Sequence, residues 1–478
     1  MEQADLVADQ VEQQATVQAD EQAAVPTVPS KGRTFARALV LVACVVALLA
    51  AFNYVMTFAL EPYGSKSEVM WQEYRAQGDA DLVYVGTSRT ERSFDPAVID
   101  KELGTHSYNM GTPNQAMEEA LIGVQTAYRD YGIKQVVVGL DYYMLADTTA
   151  LNMGSAYLRQ RSRVVPATDS ISALGYFVAK GAAVSTDSLN WPLPWLSNTA
   201  ELTLGTIKKN MKMKTDGTTV VEAAAVNEPG WKYFGQGYGN YKKSMDYDGE
   251  KAILDKELSG LTEFNPVKVQ TFKELCDFCK ANNIELTVVG IPQPAYNIMD
   301  DVQTYMNWQT QVEQLVEPYG LTYYNMGMAK PELLDIKPDM FADSQHLNKA
   351  GGEAFSKAFA KLMKMQDAGQ ATGSLFYTVD EYPKTLEYVG LVSAEATCVA
   401  GGIRIDAQAT VGPGIQVEYR YLEYKKKNKD YKVLNDWSDQ ASFTYETQMK
   451  GVRTLRVEVR QKGSTGDAER SREVQVLY

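Results

Sequence analysis

The chain has 478 residues, of which 45% are hydrophobic and 10% aromatic, enough for more than one buried core, so at least two folded domains are expected. A formal net charge of -13 excludes a general nucleic-acid-binding surface, which needs concentrated lysine and arginine to displace phosphate counterions, and no nucleic-acid partner is expected. The four cysteines, Cys44, Cys276, Cys279 and Cys398, are too few and too unevenly spaced for a disulfide framework, and no metal or cofactor is implied by them.

Residues 1–33 open with six acids before the first lysine and no aromatic residue through position 30, a composition that cannot bury enough surface to order itself. This is expected to be a disordered tail. Lys31, Arg33 and Arg37 then lead into an apolar run from Ala38 to Leu60, whose 23 residues would span about 34 Å as a helix, against a hydrocarbon thickness of roughly 30 Å. A cleaved signal peptide has a shorter apolar core, so residues 34–60 read as one transmembrane helix. Basic residues precede the span while Glu61 and Glu68 follow it. That asymmetry predicts a cytoplasmic tail, a single-pass anchor in the plasma membrane and an extracytoplasmic bulk.

Residues 61–371 read as an α/β domain. Asp81–Val85 is a short buried strand that runs directly into Gly86-Thr87-Ser88-Arg89. His106–Met110 is a second strand, turning through Gly111-Thr112-Pro113 into an amphipathic helix with Ala116, Ala120, Val124 and Ala127 on one face. Lys134–Leu140 is a third, too apolar to have a wet face. Strand, helix, strand in this order implies right-handed crossovers and a three-layer, flavodoxin-like parallel sheet. Residues 149–265 break the pattern and read as a large insertion over the sheet's carboxyl edge. It carries the basic cluster Lys208, Lys209, Lys212 and Lys214, a solvated helix face or a contact for an anionic polymer or lipid headgroups. Its aromatic residues Trp191, Trp195, Trp231, Tyr233, Tyr238 and Tyr241 could stack on sugar rings or simply pack the insertion.

The alternation resumes with a helix at 267–282, the strand Glu285–Ile291, a helix at 302–316, the strand Leu321–Asn325 and a last helix at 349–365. Cys276 and Cys279 fall mid-helix, where a structural role is expected rather than a redox pair. After a linker at Gly369–Ser374, residues 372–478 change to a period of two, as in Ile415, Val417, Tyr419 and Tyr421, and predict a β-sandwich of immunoglobulin or fibronectin type.

The sequence holds two histidines, His106 and His346. His106 opens a strand and is expected to be packed or exposed. His346 follows Asp343 by three residues on a loop entering a helix, so the carboxylate can fix the ring tautomer while the other nitrogen faces a nucleophile. Ser88, at the carboxyl end of the first sheet strand, is the candidate nucleophile, since a serine hydroxyl needs a neighbouring base and an orienting third group. Arg89 and Arg92 follow it closely and could bind a substrate carboxylate or phosphate, or brace the loop by ion pairing.

These blocks resemble the SGNH (GDSL-like) hydrolase superfamily, in particular membrane-anchored branches similar to D-alanyl-lipoteichoic acid and alginate acetyltransfer proteins. Val85-Gly86-Thr87-Ser88 is similar to the first block, Asn109-Met110-Gly111 to the second, and Asp343-Ser344-Gln345-His346-Leu347-Asn348 to the last. The resemblance implies Ser88, Asp343 and His346 as catalytic residues, with an oxyanion hole from the N–H groups of Ser88 and Gly111. The family's Gly-x-Asn-Asp block, whose asparagine also donates into that hole, reads Gly139-Leu140-Asp141-Tyr142 here. An ionised aspartate cannot donate. Either Asp141 is protonated, or the hole uses only the two N–H groups, or the protein is a weak or inactive member. The expected function is a serine esterase or O-acyltransferase on an envelope glycan or polyol polymer, with an integral membrane acyltransferase as a further partner. The alternative is a non-catalytic surface module that binds glycan or scaffolds envelope assembly.

Overall fold

The computed structural model describes residues 31–60, 63–146, 203–246, 263–300, 302–386, 388–427, 429–448 and 450–478. Residues 1–30, and with them most of the expected tail, lie outside the described residues, as do Trp191 and Trp195. The chain divides into two compact units at Leu60/Glu61. In the first, helix α1 covers Lys31–Leu60, starting a turn earlier than the sequence suggests, and from Phe35 it is long and apolar enough to cross a membrane.

The second unit begins with α2 (Lys66–Gln77), started by Ser65 and Glu68 as reciprocal caps and stopped at Gly78 in the left-handed region. Strand β1 (Leu82–Gly86) follows, then α3 (Ser88–Ser93), α4 (Pro96–Leu103), β2 (Ser107–Asn109), α5 (Met117–Tyr131), β3 (Gln135–Leu140) and α6 (Tyr142–Ala146). Within the expected insertion lie α7 (Leu204–Thr215), α8 (Val220–Asn227) and a hairpin of β4 (Trp231–Gly235) and β5 (Tyr238–Tyr241). The alternation closes with α9 (Pro266–Ala281), β6 (Glu285–Gly290), α10 (Ala295–Asp300), α11 (Val302–Val316), β7 (Tyr323–Asn325) and α12 (Lys349–Asp367).

β2, β1, β3, β6 and β7 pair in that order, all parallel. The chain moves outward from β1 to β2, then returns to place β3 on the other side of β1. This makes the carboxyl ends of β1 and β3 the topological switch point, the crevice where doubly wound sheets present their functional groups. Both sheet faces are covered, which is why the strands read as continuous apolar runs. Val83, Val85, Val136 and Val138 face one core with α5, α9 and α11, while Leu82, Tyr84 and Val137 face the other with α12. There Tyr84 stacks on Phe94 at 4.7 Å, and Phe94 meets Phe355 and Phe359 edge-on at 5.0 and 5.1 Å. Cys276 and Cys279 are buried in the first of these cores, which pushes both thiols up to about 12 and leaves them inert.

The C-terminal strands, β8 (Val389–Val399), β9 (Gly402–Val411), β10 (Val417–Lys425), β11 (Asp430–Ser438), β12 (Ser442–Glu446), β13 (Val452–Gln461) and β14 (Arg470–Leu477), form two antiparallel sheets, β12-β9-β8 and β11-β10-β13-β14. They close as a sandwich over Ile403, Ile405, Tyr421, Leu455, Val457 and Val459. The sandwich starts later than residue 372. Phe376 pairs with Ala329, Tyr377 donates to the Met328 carbonyl, and Tyr382 and Leu386 are buried in the α/β core, so this segment belongs to the α/β layer.

Candidate active site

Three glycines let α3 sit against the sheet edge. Gly86 has φ 149, and a Cβ there would lie 2.5 Å from the Gly139 carbonyl oxygen. A Cβ on Gly139 would lie 2.1 Å from Thr90 Oγ1, and one on Gly111 would lie 2.6 Å from the Glu91 nitrogen. Thr87 caps α3 by accepting from the Arg89 N–H, and Ser88 follows as the first helical residue, half-buried at the switch point.

The late loop is shaped by its own backbone. Phe341 and Leu347 pair across it, the Ala342 N–H donates to the His346 carbonyl at 2.8 Å, and Asn348 caps α12. Asn297 donates to the Ser344 carbonyl at 2.6 Å from the neighbouring α10. These contacts bring together residues 258 apart in the chain: Ser88 Oγ lies 2.7 Å from His346 Nε2. His346 Nδ1 lies 2.7 Å from Asp343 Oδ1, which also accepts the Gln345 and His346 N–H groups at 3.0 Å each. Four hydrogen-bonded atoms therefore form a continuous relay. His106 stands apart, half-exposed with Nδ1 3.2 Å from Asp79.

The electrostatics suit a base on His346. Burial, then the positive charge of Arg92, lower its pKa to about 4, against the raising influence of Asp343. The ring is neutral above that, free to accept a proton. For Asp343 burial alone would raise the pKa, but His346, Arg92 and the Gln345 N–H outweigh it and hold the carboxyl well below its ordinary value.

The two arginines depart from a substrate-binding role. Arg92 Nη1 donates to Asp343 Oδ2 at 3.0 Å, and its guanidinium lies 4.8 Å from the Tyr241 ring centroid. Arg89 Nε is 3.3 Å from Asp141 Oδ2 and its guanidinium 5.4 Å from the Tyr142 ring. Both side chains are buried and turned inward, so they brace α3 instead of projecting to a ligand.

The oxyanion-hole expectation also changes. Asp141 accepts from the Thr87 hydroxyl at 3.2 Å, from Arg89, and from the Tyr143 N–H at 3.2 Å. In each of these contacts it is the acceptor, and it fills no donor's place. Gly111 N–H donates to Asn109 Oδ1 at 2.9 Å, and the Asn109 amide donates onward to the Thr90 and Phe94 carbonyls at the end of α3. Gly111 thus serves close packing. The loop it opens is nonetheless fixed to the site, because Thr112 N–H donates to the Gly86 carbonyl and Gln115 Oε1 accepts the Gly86 N–H at 2.7 Å. At its tip Asn114 is exposed with φ 53. Ser88 is the first residue of α3, so its N–H has no acceptor within that helix.

Sequence reading missed the β4–β5 hairpin behind α3. Trp231 Nε1 donates to Glu91 Oε1 at 3.1 Å, Asn240 donates to the Arg92 carbonyl at 2.8 Å, and Tyr241 OH donates to Glu228 at 2.8 Å. Burial raises the Glu91 pKa. Its sequence signal was an aromatic alternation around Gln236-Gly237, both with positive φ, the conformation of a tight hairpin turn. The aromatic side chains Trp231, Tyr233, Tyr238 and Tyr241 pack this hairpin instead of forming a stacking platform: Trp231 and Tyr238 are fully buried, with Tyr233 and Tyr241 partly so.

A parallel α/β sheet bearing a Ser–His–Asp relay at its carboxyl edge is the class of protein that fold and site define. Among solved structures the chain is similar to a GDSL-like lipase from Bacteroides thetaiotaomicron, with 11% identity, 63% of this chain and 94% of that chain covered, and a TM-score of 0.27. It is also similar to a candidate acylhydrolase from Bacteroides fragilis, at 10% identity over 60% of this chain and 88% of that chain, TM-score 0.27. No protein-family profile and no curated protein matches.

Proposed function

We propose that the protein is a membrane-anchored, SGNH-type serine esterase or O-acyltransferase. The observation that carries this reading is the unbroken relay of 2.7 Å contacts from Ser88 through His346 to Asp343. As an ester binds, His346 Nε2 takes the Ser88 Oγ proton while Oγ attacks the acyl carbon. The carbonyl oxygen becomes an oxyanion facing the Ser88 N–H. Collapse breaks the bond to the leaving alkoxide, which takes the proton from His346, and leaves acyl-Ser88. Water or an acceptor hydroxyl then loses its proton to His346, attacks the acyl carbon and releases Ser88 with its proton. Asp343 stabilises the imidazolium at each step.

The anchor supports an envelope polymer as acceptor, a glycan or polyol chain, with an integral membrane partner as acyl source. A second reading, a non-catalytic glycan-binding or scaffolding module, is favoured by one observation: Asp141 removes a donor that the motif's asparagine would supply. A fluorophosphonate probe separates the two. Labelling of the wild-type chain and none of Ser88→Ala is expected; an unlabelled wild type, or a labelled Ser88→Ala, refutes the serine enzyme. Product analysis with a soluble acyl ester and a competing polyol then divides hydrolysis from transfer.

A further inference from the structure

Tyr63 is the third residue after Leu60, where the apolar α1 ends. It is no slack tether. Its N–H donates to Asn210 Oδ1 at 2.6 Å, its hydroxyl donates to the Thr218 carbonyl at 2.9 Å, and its carbonyl accepts from Asn227 Nδ2 at 2.7 Å. Gly64, at φ 80, lies so close to α8 that a Cβ there would meet Ala223 at 2.4 Å. Helices α7 and α8 are thereby held to the first residues that follow the span.

The outward side of α7 carries apolar side chains. Asn210, which faces Tyr63, is its one buried residue. Leu204 and Met211, seven apart and so on one stripe, are 77% and 37% exposed, and Val226 at the end of α8 is 53% exposed. Lys208 and Lys212 border that stripe on one side, Lys209 turns toward α8 to donate to Asn227 Oδ1 at 3.3 Å, and α7 contains no acid. Lys212 meets Asp216 only at 4.0 Å. Apolar side chains bordered by lysines on an exposed helix match the surface of an anionic bilayer.

We propose that the outward face of α7, with Val226, rests on the membrane that α1 crosses, Leu204 and Met211 entering the headgroup layer and Lys208 and Lys212 meeting anionic lipid phosphates. This rests on the spanning reading of α1, and is independent of whether Ser88 is catalytic. The corner is also joined to the relay: Lys66 pairs with Glu228 at 2.6 Å, Glu228 accepts from Tyr241, and Tyr241 lies under Arg92, the partner of Asp343.

The full chain, reconstituted in nanodiscs of phosphatidylglycerol and phosphatidylcholine, carries a photoreactive benzoylphenylalanine at position 204, 211 or, as an exposed apolar control in the sandwich, 477. Lipid adducts are expected at 204 and 211 and not at 477. Their yield should fall at least tenfold in a Lys208→Gln/Lys212→Gln variant, given about a fivefold effect per lysine near an anionic surface. Yields at 204 no higher than at 477 overturn the proposal. So does transfer of the adducts to added polyglycerol phosphate, which would make the face a polymer site. Equal yields on phosphatidylcholine alone overturn the role of the lysines. Flotation with liposomes reads the anchor separately: a chain that fails to float refutes the span and the docking together, whereas flotation without adducts refutes the docking alone.

Discussion

Arg92 offers the sharpest test of the site, because it acts on Asp343 from outside the relay. Its Nη1 lies 3.0 Å from Asp343 Oδ2, while the other carboxylate oxygen lies 2.7 Å from His346 Nδ1, so one carboxylate separates two cations once the imidazole is protonated. With the guanidinium and imidazolium roughly 6 Å apart and an effective dielectric near 20, their repulsion is about 3 kcal/mol, or one to two pH units on His346. Arg92→Met keeps the bulk and removes the charge. Because kcat/KM requires neutral His346 in the free enzyme, wild-type activity on a chromogenic ester should rise with pH through about 4 and then plateau. In Arg92→Met the acid limb should move up by one to two pH units. The plateau should also fall roughly 10- to 100-fold, reflecting loss of a charged hydrogen bond worth about 1.5–3 kcal/mol that fixes Asp343. Arg92→Lys should lower the plateau while leaving the limb near 4, since the charge stays but the fork does not. An acid limb of Arg92→Met that overlies the wild type would refute this assignment and leave Arg92 a brace for α3.

Asp141→Asn restores the motif's asparagine but breaks a pair in which the carboxylate accepts from Thr87 and Arg89; a loss of thermal stability with no gain in kcat is expected, and a 100-fold gain would show a waiting donor site. Gly139→Ala should destabilise by about 1–3 kcal/mol, because its Cβ would lie 2.1 Å from Thr90 Oγ1; Thr90→Gly should recover most of that in a melting experiment, and no recovery would refute the clash. Lys268 and Glu118 form a fully buried pair at 2.7 Å between α9 and α5. Lys268→Ala should cost about 3–5 kcal/mol by denaturant unfolding, whereas Lys268→Met with Glu118→Leu should come close to wild type; equal losses would show that the pair itself stabilises the fold.

Much of the fold was legible because it depends on local pattern. The runs Asp81–Val85 and Lys134–Leu140 are apolar on both alternations, and the structure buries them on both faces as β1 and β3. Asp343 and His346 were legible because three residues close their contact within one turn. Ser88 was legible from its place after a strand. What failed to show were contacts set by tertiary register. Arg92 and Asp343 are 251 residues apart, and no spacing rule joins them. Gly111 matched its motif, yet an amide acceptor two residues earlier takes its N–H, a local competition that a motif does not record. The β4–β5 hairpin was hidden within the large insertion, although the Gln236-Gly237 turn signalled it, and the short α4 between β1 and β2 was signalled by Pro96 at its start.

The two arginines after the nucleophile explain each other. Arg89 pairs with Asp141 at the end of β3, and Arg92 pairs with Asp343 on the histidine loop, so the six-residue α3 is held from both sides by ion pairs, the first buried and the second half-buried. A helix this short cannot hold itself in water. Such pairs add little net stability, because desolvation offsets most of their attraction, but removing one partner strands a charge, so they resist displacement of the helix. On this reading Asp141 is the residue the local architecture requires, since an asparagine there would leave Arg89 buried without its counter-charge. The substitution that looked like damage to an oxyanion hole is then half of a brace that fixes Ser88 relative to His346, and the burden of oxyanion donation falls on backbone amides at the switch point.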